Sequence, residues 1–203
     1  MDTKGETRPK LLLICCEGER TEPQYFDALI KNYRIRSSVS IEVINDQGQH
    51  KVLIDNAVKV RDQQAKAKDI KAKDIEVWVV CDKDLMHYHL DELVAYAKKR
   101  NVQLAFTDPC FEVFFLQHFC KSTTSATGKT LEARISKEMA KKGLDTPYKK
   151  EDISFFKKLI YEDPQLVLNA IKNCAAISDP SQAPYTTTHI LVERMLSFTP
   201  RTK

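Results

Sequence analysis

Apolar runs alternate with amphipathic stretches along the N-terminal part of the chain. The apolar runs occupy residues 11–16, 39–44, 75–81 and 102–106, and each has the length of a strand. The stretches between them have the length and pattern of helices. Because strands that alternate with helices pair side by side in a parallel sheet, the pattern predicts an α/β fold. We expect a four-stranded, mostly parallel sheet flanked by helices.

Two positions carry residue types that begin helices. Thr21 can cap a helix after the first strand, where Pro23 suits the first turn and Gln24 completes a capping box. Asp108 and Pro109 precede the apolar segment "CFEVFFLQHF", and such a pair is typical of a helix start. We therefore expect one helix to begin at about residue 21 and another at about residue 110.

The pattern changes near residue 122, where the polar loop "KSTTSATGKT" is followed by helical patterns. Helices are predicted at 131–142, 153–161 and 164–176, and a helix or a strand at 189–198. We expect a disordered leader at 1–9 and an α/β domain at 10–122. A basic, mostly helical C-terminal extension at 123–203 should pack on the same domain.

The composition is that of a soluble globular protein. Of the 203 residues, 42% are hydrophobic and 30% are charged, and the net charge of +4 permits a nucleic-acid partner without requiring one. The six cysteines form no C-x-x-C pair, so we expect reduced thiols in a cytoplasmic protein rather than disulfides or a zinc site. The polar N-terminus and the short apolar runs predict neither a signal peptide nor a membrane partner.

Carboxylates follow the strands at what should be one edge of the sheet. Glu17 follows the first strand, Asp82 and Asp84 follow the third, and Glu112 begins the helix after the fourth. The carboxyl ends of parallel strands share one edge, so these side chains should meet. Each residue alone has an ordinary explanation as a turn or helix-cap residue. As a group they predict a site for Mg²⁺ or Mn²⁺, because oxygen-only ligands favour these ions.

Four segments of the chain resemble, in order, the motifs of the RloB-like proteins. They are "CEGERTEPQYF" after the first strand, "CDKD" after the third, "DPCFEVFFLQHF" and "APYTTTHILVERM". The E-G pair and the D-x-D motif of the first two segments also resemble the Toprim domain of topoisomerases, primases and overcoming-lysogenization-defect nucleases. Asp108 stands where the family usually has asparagine, and Phe114 or Phe115 where it usually has tryptophan.

The resemblance implies a Toprim-like fold and a Mg²⁺-dependent nuclease. By that resemblance Glu17 acts as general acid or base, and Asp82 and Asp84 bind the metal together with Glu17. Glu22 and Glu112 are candidates for the rest of the catalytic site. The resemblance also implies a separate ATPase subunit and a role in anti-phage defence or abortive infection.

Several alternatives stay open at this point. The chain could be a housekeeping Toprim ribonuclease acting on structured RNA, or a module that binds nucleic acid or an ATPase without cutting. No base-reading motif separates a DNA substrate from an RNA substrate. The sequence also leaves open whether the chain forms a homo-oligomer.

A basic segment lies within the C-terminal extension. Between residues 129 and 158 there are nine lysine or arginine residues against five acidic ones. A solvated helical surface would account for this charge, but an aromatic residue beside two lysines can stack a base while the lysines hold phosphates. Tyr148, Lys149 and Lys150 have this arrangement. We predict that they bind nucleic acid, as does Lys83 between the two aspartates.

Overall fold

The computed structural model describes residues 9–35, 40–45, 48–84, 86–144 and 147–200, apart from the side chain of residue 155. The strands in these ranges are β1 (Leu11–Cys16), β2 (Ser40–Ile44), β3 (Ile75–Asp82), β4 (Gln103–Asp108) and β5 (Tyr185–Thr186). The α-helices are α1 (Thr21–Asn32), α2 (His50–Ala67), α3 (Leu90–Lys99), α4 (Glu112–Gln117), α5 (Gly128–Lys141), α6 (Ser154–Glu162), α7 (Gln165–Cys174) and α8 (Thr188–Leu196). Residues 1–8 of the predicted leader and Val39 of the predicted second strand lie outside the described ranges.

The described strands form one sheet in the order β2-β1-β3-β4-β5. The first four pair in parallel, and β5 pairs antiparallel with the end of β4. All six residues of β1 are buried, as expected for a strand covered on both faces. The predicted α/β class with a mostly parallel sheet is confirmed, and it is compatible with a Toprim-like fold. The two-residue strand β5 is not predicted from the sequence, because so short a segment shows no detectable alternation of apolar and polar residues.

Alternate side chains of the sheet enter two separate cores. On one face Leu12 and Trp78 pack with residues of α1 and α4–α8, and on the other Leu13 and Val79 pack with residues of α2 and α3. The helices after residue 122 therefore share the core of α1 and α4, while the domain boundary predicted there stays a prediction. None of the described helices is apolar over a long enough span to cross a membrane.

The two predicted helices begin within two residues of the expected positions, but the predicted capping residues do not cap them. Thr21 is the first residue of α1 rather than its cap, and Arg20 at the cap position makes no side-chain hydrogen bond. The Thr21 hydroxyl instead donates to the backbone carbonyl of Lys150, so a contact with a distant segment replaces the local cap. Asp108 ends β4, and α4 begins only at Glu112, because pairing with β5 keeps Asp108 extended.

A buried histidine joins α1 to the end of α4. His118 is fully buried, and its Nδ1–H donates to the Phe114 carbonyl at 3.1 Å. Its Nε2 therefore accepts the hydrogen bond from the Tyr25 hydroxyl, at 2.9 Å. Burial lowers the pKa of His118 to about 4, so the imidazole is neutral at neutral pH and able to accept this bond.

Tyr25→Phe should lower the free energy of unfolding by about 1–3 kcal/mol, because it leaves a buried ring nitrogen of His118 without a donor. Urea unfolding at neutral pH measures the change. Tyr33→Phe is the matched control, since the Tyr33 hydroxyl donates to the Pro164 carbonyl at 3.3 Å near the surface, and it should cost less than about 0.5 kcal/mol. Equal effects of the two substitutions would contradict the role assigned to His118.

Candidate metal centre

The acidic residues predicted at the carboxyl edge of the sheet surround one cleft. Glu17 comes directly after β1, and its backbone N–H donates to the Val80 carbonyl of β3 at 2.9 Å. Asp82 ends β3, so the two central strands bring Glu17 and Asp82 side by side. The cleft has a volume of about 480 Å³, and Glu22 and Asp84 line it together with Glu17 and Asp82.

A side chain at position 18, directly after Glu17, would meet the carboxylate of Glu22. A Cβ atom on Gly18 would lie 2.0 Å from Oε2 of Glu22. Glu22 is in the first turn of α1 and is buried, so the helix places its carboxylate directly against the Gly18 backbone. The E-G pair therefore allows two acidic side chains to enter the same cleft.

Burial and mutual repulsion raise the pKa of three carboxyl groups in the cleft. Burial raises the pKa of Glu17 to about 7, and the charge of Asp82 adds to this although the Asp82 backbone N–H donates to the Glu17 carboxylate. Burial likewise raises the pKa of Glu22 to about 7 and that of Asp82 to about 6. Near neutral pH the charged forms of these groups are destabilised, and a bound cation would relieve the repulsion.

Glu17 has an oxygen atom that the described residues leave unsatisfied. Its Oε2 is buried and has no hydrogen-bond partner among them, and an unsatisfied buried acceptor costs about 1–3 kcal/mol. Across the described ranges, no three His, Cys, Asp or Glu side chains already converge as a complete metal site. Mg²⁺ usually takes one or two carboxylates and keeps several waters. The carboxylates of this cleft therefore fit such an ion.

A lysine from the C-terminal part of the chain enters the same cleft. Lys150 lines it beside the acidic residues. Burial alone would lower the pKa of its ammonium group, but the carboxylates of Glu112, Glu22 and Asp82 outweigh that effect and raise the pKa above its ordinary value. Lys150 therefore stays charged and offsets part of the negative charge around it.

The predicted base-stacking role of Tyr148 is wrong, because its ring is buried. Tyr148 is 5% exposed, and its ring packs against Phe115 with the centroids 5.9 Å apart. The Tyr148 hydroxyl donates to Oε1 of Glu112 at 3.0 Å, and Glu112 is itself 1% exposed. Glu112 and Tyr148 thus anchor the basic segment to α4 and hold Lys150 near the cleft.

Lys83 forms an ion pair with a neighbouring strand end. Its Nζ lies 2.7 Å from Oδ2 of Asp108, which links the ends of β3 and β4 and competes with the predicted phosphate contact. Both residues, together with Glu112, line an adjoining cleft of about 450 Å³. The two clefts share Asp84 and Lys150, so they form one continuous surface along the edge of the sheet.

Two residues at the start of α2 belong to the site although no sequence pattern points to them. Gln49 lines the first cleft, and Nε2 of His50 donates to the Asp82 carbonyl at 3.0 Å. No motif marks this segment, so only tertiary structure brings it to the sheet edge. Lys149 was predicted for this region, but it is exposed and lines neither of the two clefts.

Comparison with protein families matches residues 12–195 to a family described as RloB-like protein. The matched span contains all the acidic residues of the cleft and the segment that carries Lys150. No curated protein and no solved structure matches the chain. A function can therefore be argued from two observations, the family match and the geometry of the cleft.

The metal-free protein should lose stability as the pH rises from 6.5 to about 8. The raised pKa values of Glu17 and Glu22, about 7, mean that the folded protein binds protons that the unfolded chain has already released. Stability therefore falls as the pH rises through this range. His118 and His189, whose pKa values are lowered from 6.5, act in the opposite direction at the lower end of this range, because the unfolded chain still binds protons there that the folded protein does not. They therefore offset part of the fall.

Urea unfolding in EDTA at the two ends of this pH range measures the effect. Glu17→Gln should make the pH dependence smaller, because it removes one of the two groups. Glu162→Gln, on the exposed end of α6, should leave it unchanged. A wild-type protein that is equally stable at both pH values would contradict the account of the cleft.

Proposed function

The chain belongs to the RloB-like protein family, and from this membership and the acidic cleft we propose that it is a Mg²⁺- or Mn²⁺-dependent nuclease. The observation that carries the proposal is the position of Glu17, whose buried oxygen lacks a partner among the described residues in a cleft shared with Asp82 and Asp84. Without a bound cation, carboxylates grouped in this way repel one another, which destabilises their charged forms. Binding a nucleic acid alone would require only positive charge, so the acidic group supports phosphodiester hydrolysis.

Asp82 and Asp84 are the residues that would hold the ion. The Asp84 backbone N–H donates to Oδ1 of Asp82 at 3.0 Å, which keeps the two aspartates in a compact turn at the end of β3. A divalent cation bound there would coordinate a phosphate oxygen and stabilise the attacking or leaving oxygen. Lys150, on the wall of the same cleft, can pair with a second phosphate oxygen.

Glu17 is suited to transfer a proton. A general acid or base works best when its pKa lies near the operating pH, and burial raises the pKa of Glu17 to about 7. In the proposed reaction its carboxylate accepts a proton from the attacking water and then donates a proton to the leaving oxygen. Glu22, packed against Gly18, adds negative charge that supports the protonated form of Glu17.

We further propose, on the resemblance of the four segments, that the nuclease is the effector subunit of an ATPase-linked anti-phage or abortive-infection system. The Toprim-like fold and the relationship to overcoming-lysogenization-defect nucleases belong to the same proposal. The substrate is DNA or RNA, because the basic residues of the site would contact the phosphate backbone that both share. A housekeeping ribonuclease and a non-cutting module remain as outcomes of the test.

Purified protein should cleave at least one of three substrates, plasmid DNA, single-stranded DNA or total transfer RNA, when Mn²⁺ or Mg²⁺ is added. Glu17→Gln should lower the rate by about 10²–10⁴-fold, the usual contribution of a general acid or base. Gel electrophoresis of timed samples, with and without the separate ATPase subunit of the proposed system, measures the rate.

Glu162→Gln is the matched control for this assay. Glu162 is exposed and lies 3.7 Å from Lys158 in a surface ion pair on α6, so this variant should cut at the wild-type rate. Cleavage that persists in EDTA, or at full rate in Glu17→Gln, would contradict the proposal. Cleavage of transfer RNA alone without the ATPase would favour the housekeeping ribonuclease, and binding without cleavage would favour the non-catalytic module.

A further inference from the structure

Asp82 lies at the end of β3, beyond the last residue of the neighbouring strand β1 that pairs with β3. The last residue of β1 to pair with β3 is Cys16, opposite Val80, and the Glu17 N–H donates to the Val80 carbonyl. Backbone groups two residues apart on a strand face the same side, so the N–H and carbonyl of Asp82 face β1 beyond its end. No further residue of β1 pairs opposite Asp82, so its carbonyl requires a different partner.

His50 supplies that partner from α2. Its Nε2 lies 3.0 Å from the Asp82 carbonyl oxygen, and because a carbonyl only accepts, Nε2 carries the donated hydrogen. His50 is 6% exposed, so water does not compete freely for the bond. The side chain thus replaces the missing strand residue at the carbonyl of Asp82, the first aspartate of the D-x-D motif.

The conformation of His50 is unusual for a non-glycine residue. Its φ is 45°, in the left-handed region, which is unfavourable for an L-residue. The imidazole packs edge-to-face on Tyr88 with the ring centroids 6.0 Å apart, and Nζ of Lys51 lies 4.1 Å from the same tyrosine ring. The surrounding contacts therefore hold His50 in a strained position from which its ring reaches Asp82.

We propose that His50 is a positioning residue for the metal centre. Its hydrogen bond fixes the peptide between Asp82 and Lys83, and through the bond from the Asp84 N–H to Oδ1 of Asp82 it orients both aspartate carboxylates. The inference rests on the proposed function in one respect, namely that the two carboxylates bind a divalent metal ion. The geometric part, that the donor at position 50 holds the end of β3, is independent of any metal.

Two substitutions at position 50 separate hydrogen bonding from packing. His50→Leu removes the donor and keeps apolar bulk, whereas His50→Gln retains an N–H that can reach the same carbonyl. In metal-free protein, hydrogen exchange over residues 79–84 should become about tenfold faster in His50→Leu, corresponding to the loss of one hydrogen bond, and change little in His50→Gln. His50→Phe replaces His50→Leu as the donor-free variant should the leucine variant fail to fold.

Calorimetric titration with Mn²⁺ alone gives the readout that a merely structural role would not change. The donor-free variant should bind Mn²⁺ about 10–100-fold more weakly than wild type, the usual effect of losing a residue that orients a ligand, and His50→Gln should restore most of the affinity. Tyr25→Phe is the control, because it removes a buried hydrogen bond from the opposite core. It should lower stability without changing Mn²⁺ affinity.

Unchanged exchange over residues 79–84 in the donor-free variant would overturn the inference, as would wild-type Mn²⁺ affinity in that variant. Failure of the proposed function gives a different result. If the wild-type protein binds no Mn²⁺ while exchange still depends on the donor at position 50, the metal chemistry is contradicted and the positioning of Asp82 is supported.

Discussion

Repulsion between carboxylates at the end of a parallel sheet is the constraint on which this site depends. Parallel strands bring their carboxyl ends to one edge, so Glu17 after β1 and Asp82 at the end of β3 meet as soon as the sheet forms. Burial of the apolar strands in two cores stabilises that arrangement and offsets the electrostatic cost. Burial, and after it the repulsion between carboxylates, raises the pKa values of Glu17 and Asp82, and the charge of Lys150 lowers that of Asp82 only in part.

Three helical elements support the carboxylates from different parts of the chain. The first turn of α1 places Glu22 in the cleft, and α4 holds Lys150 near it through the hydrogen bond between Glu112 and Tyr148. The start of α2 fixes the Asp82 carbonyl. The hydrogen bonds of Glu112 and of His50 join residues that are at least 30 apart in sequence. Glu22 lies against Gly18, which has no side chain. The site therefore forms only when the whole fold is complete.

The positions of the acidic residues at the strand ends could be predicted from the sequence. The side chains that reach the site through tertiary contacts could not. Apolar runs locate the strands, and a parallel sheet then places Glu17 and Asp82 at one edge. Thr21 was expected to cap its own helix but donates to a distant carbonyl, and Tyr148 was expected at the surface but is buried. No sequence pattern around His50 indicates its role, because that role arises only from the fact that β1 ends before β3 does.

Anomalous X-ray diffraction from a crystal soaked in Mn²⁺ tests the central claim most directly. The account predicts one manganese peak inside the cleft, with carboxylate oxygens of Asp82 and of Asp84 or Glu17 within about 2.0–2.3 Å, and loss of that peak when Asp82 and Asp84 are both replaced by asparagine. A manganese ion bound only elsewhere on the protein, or a cleft that stays empty in millimolar Mn²⁺, would contradict it.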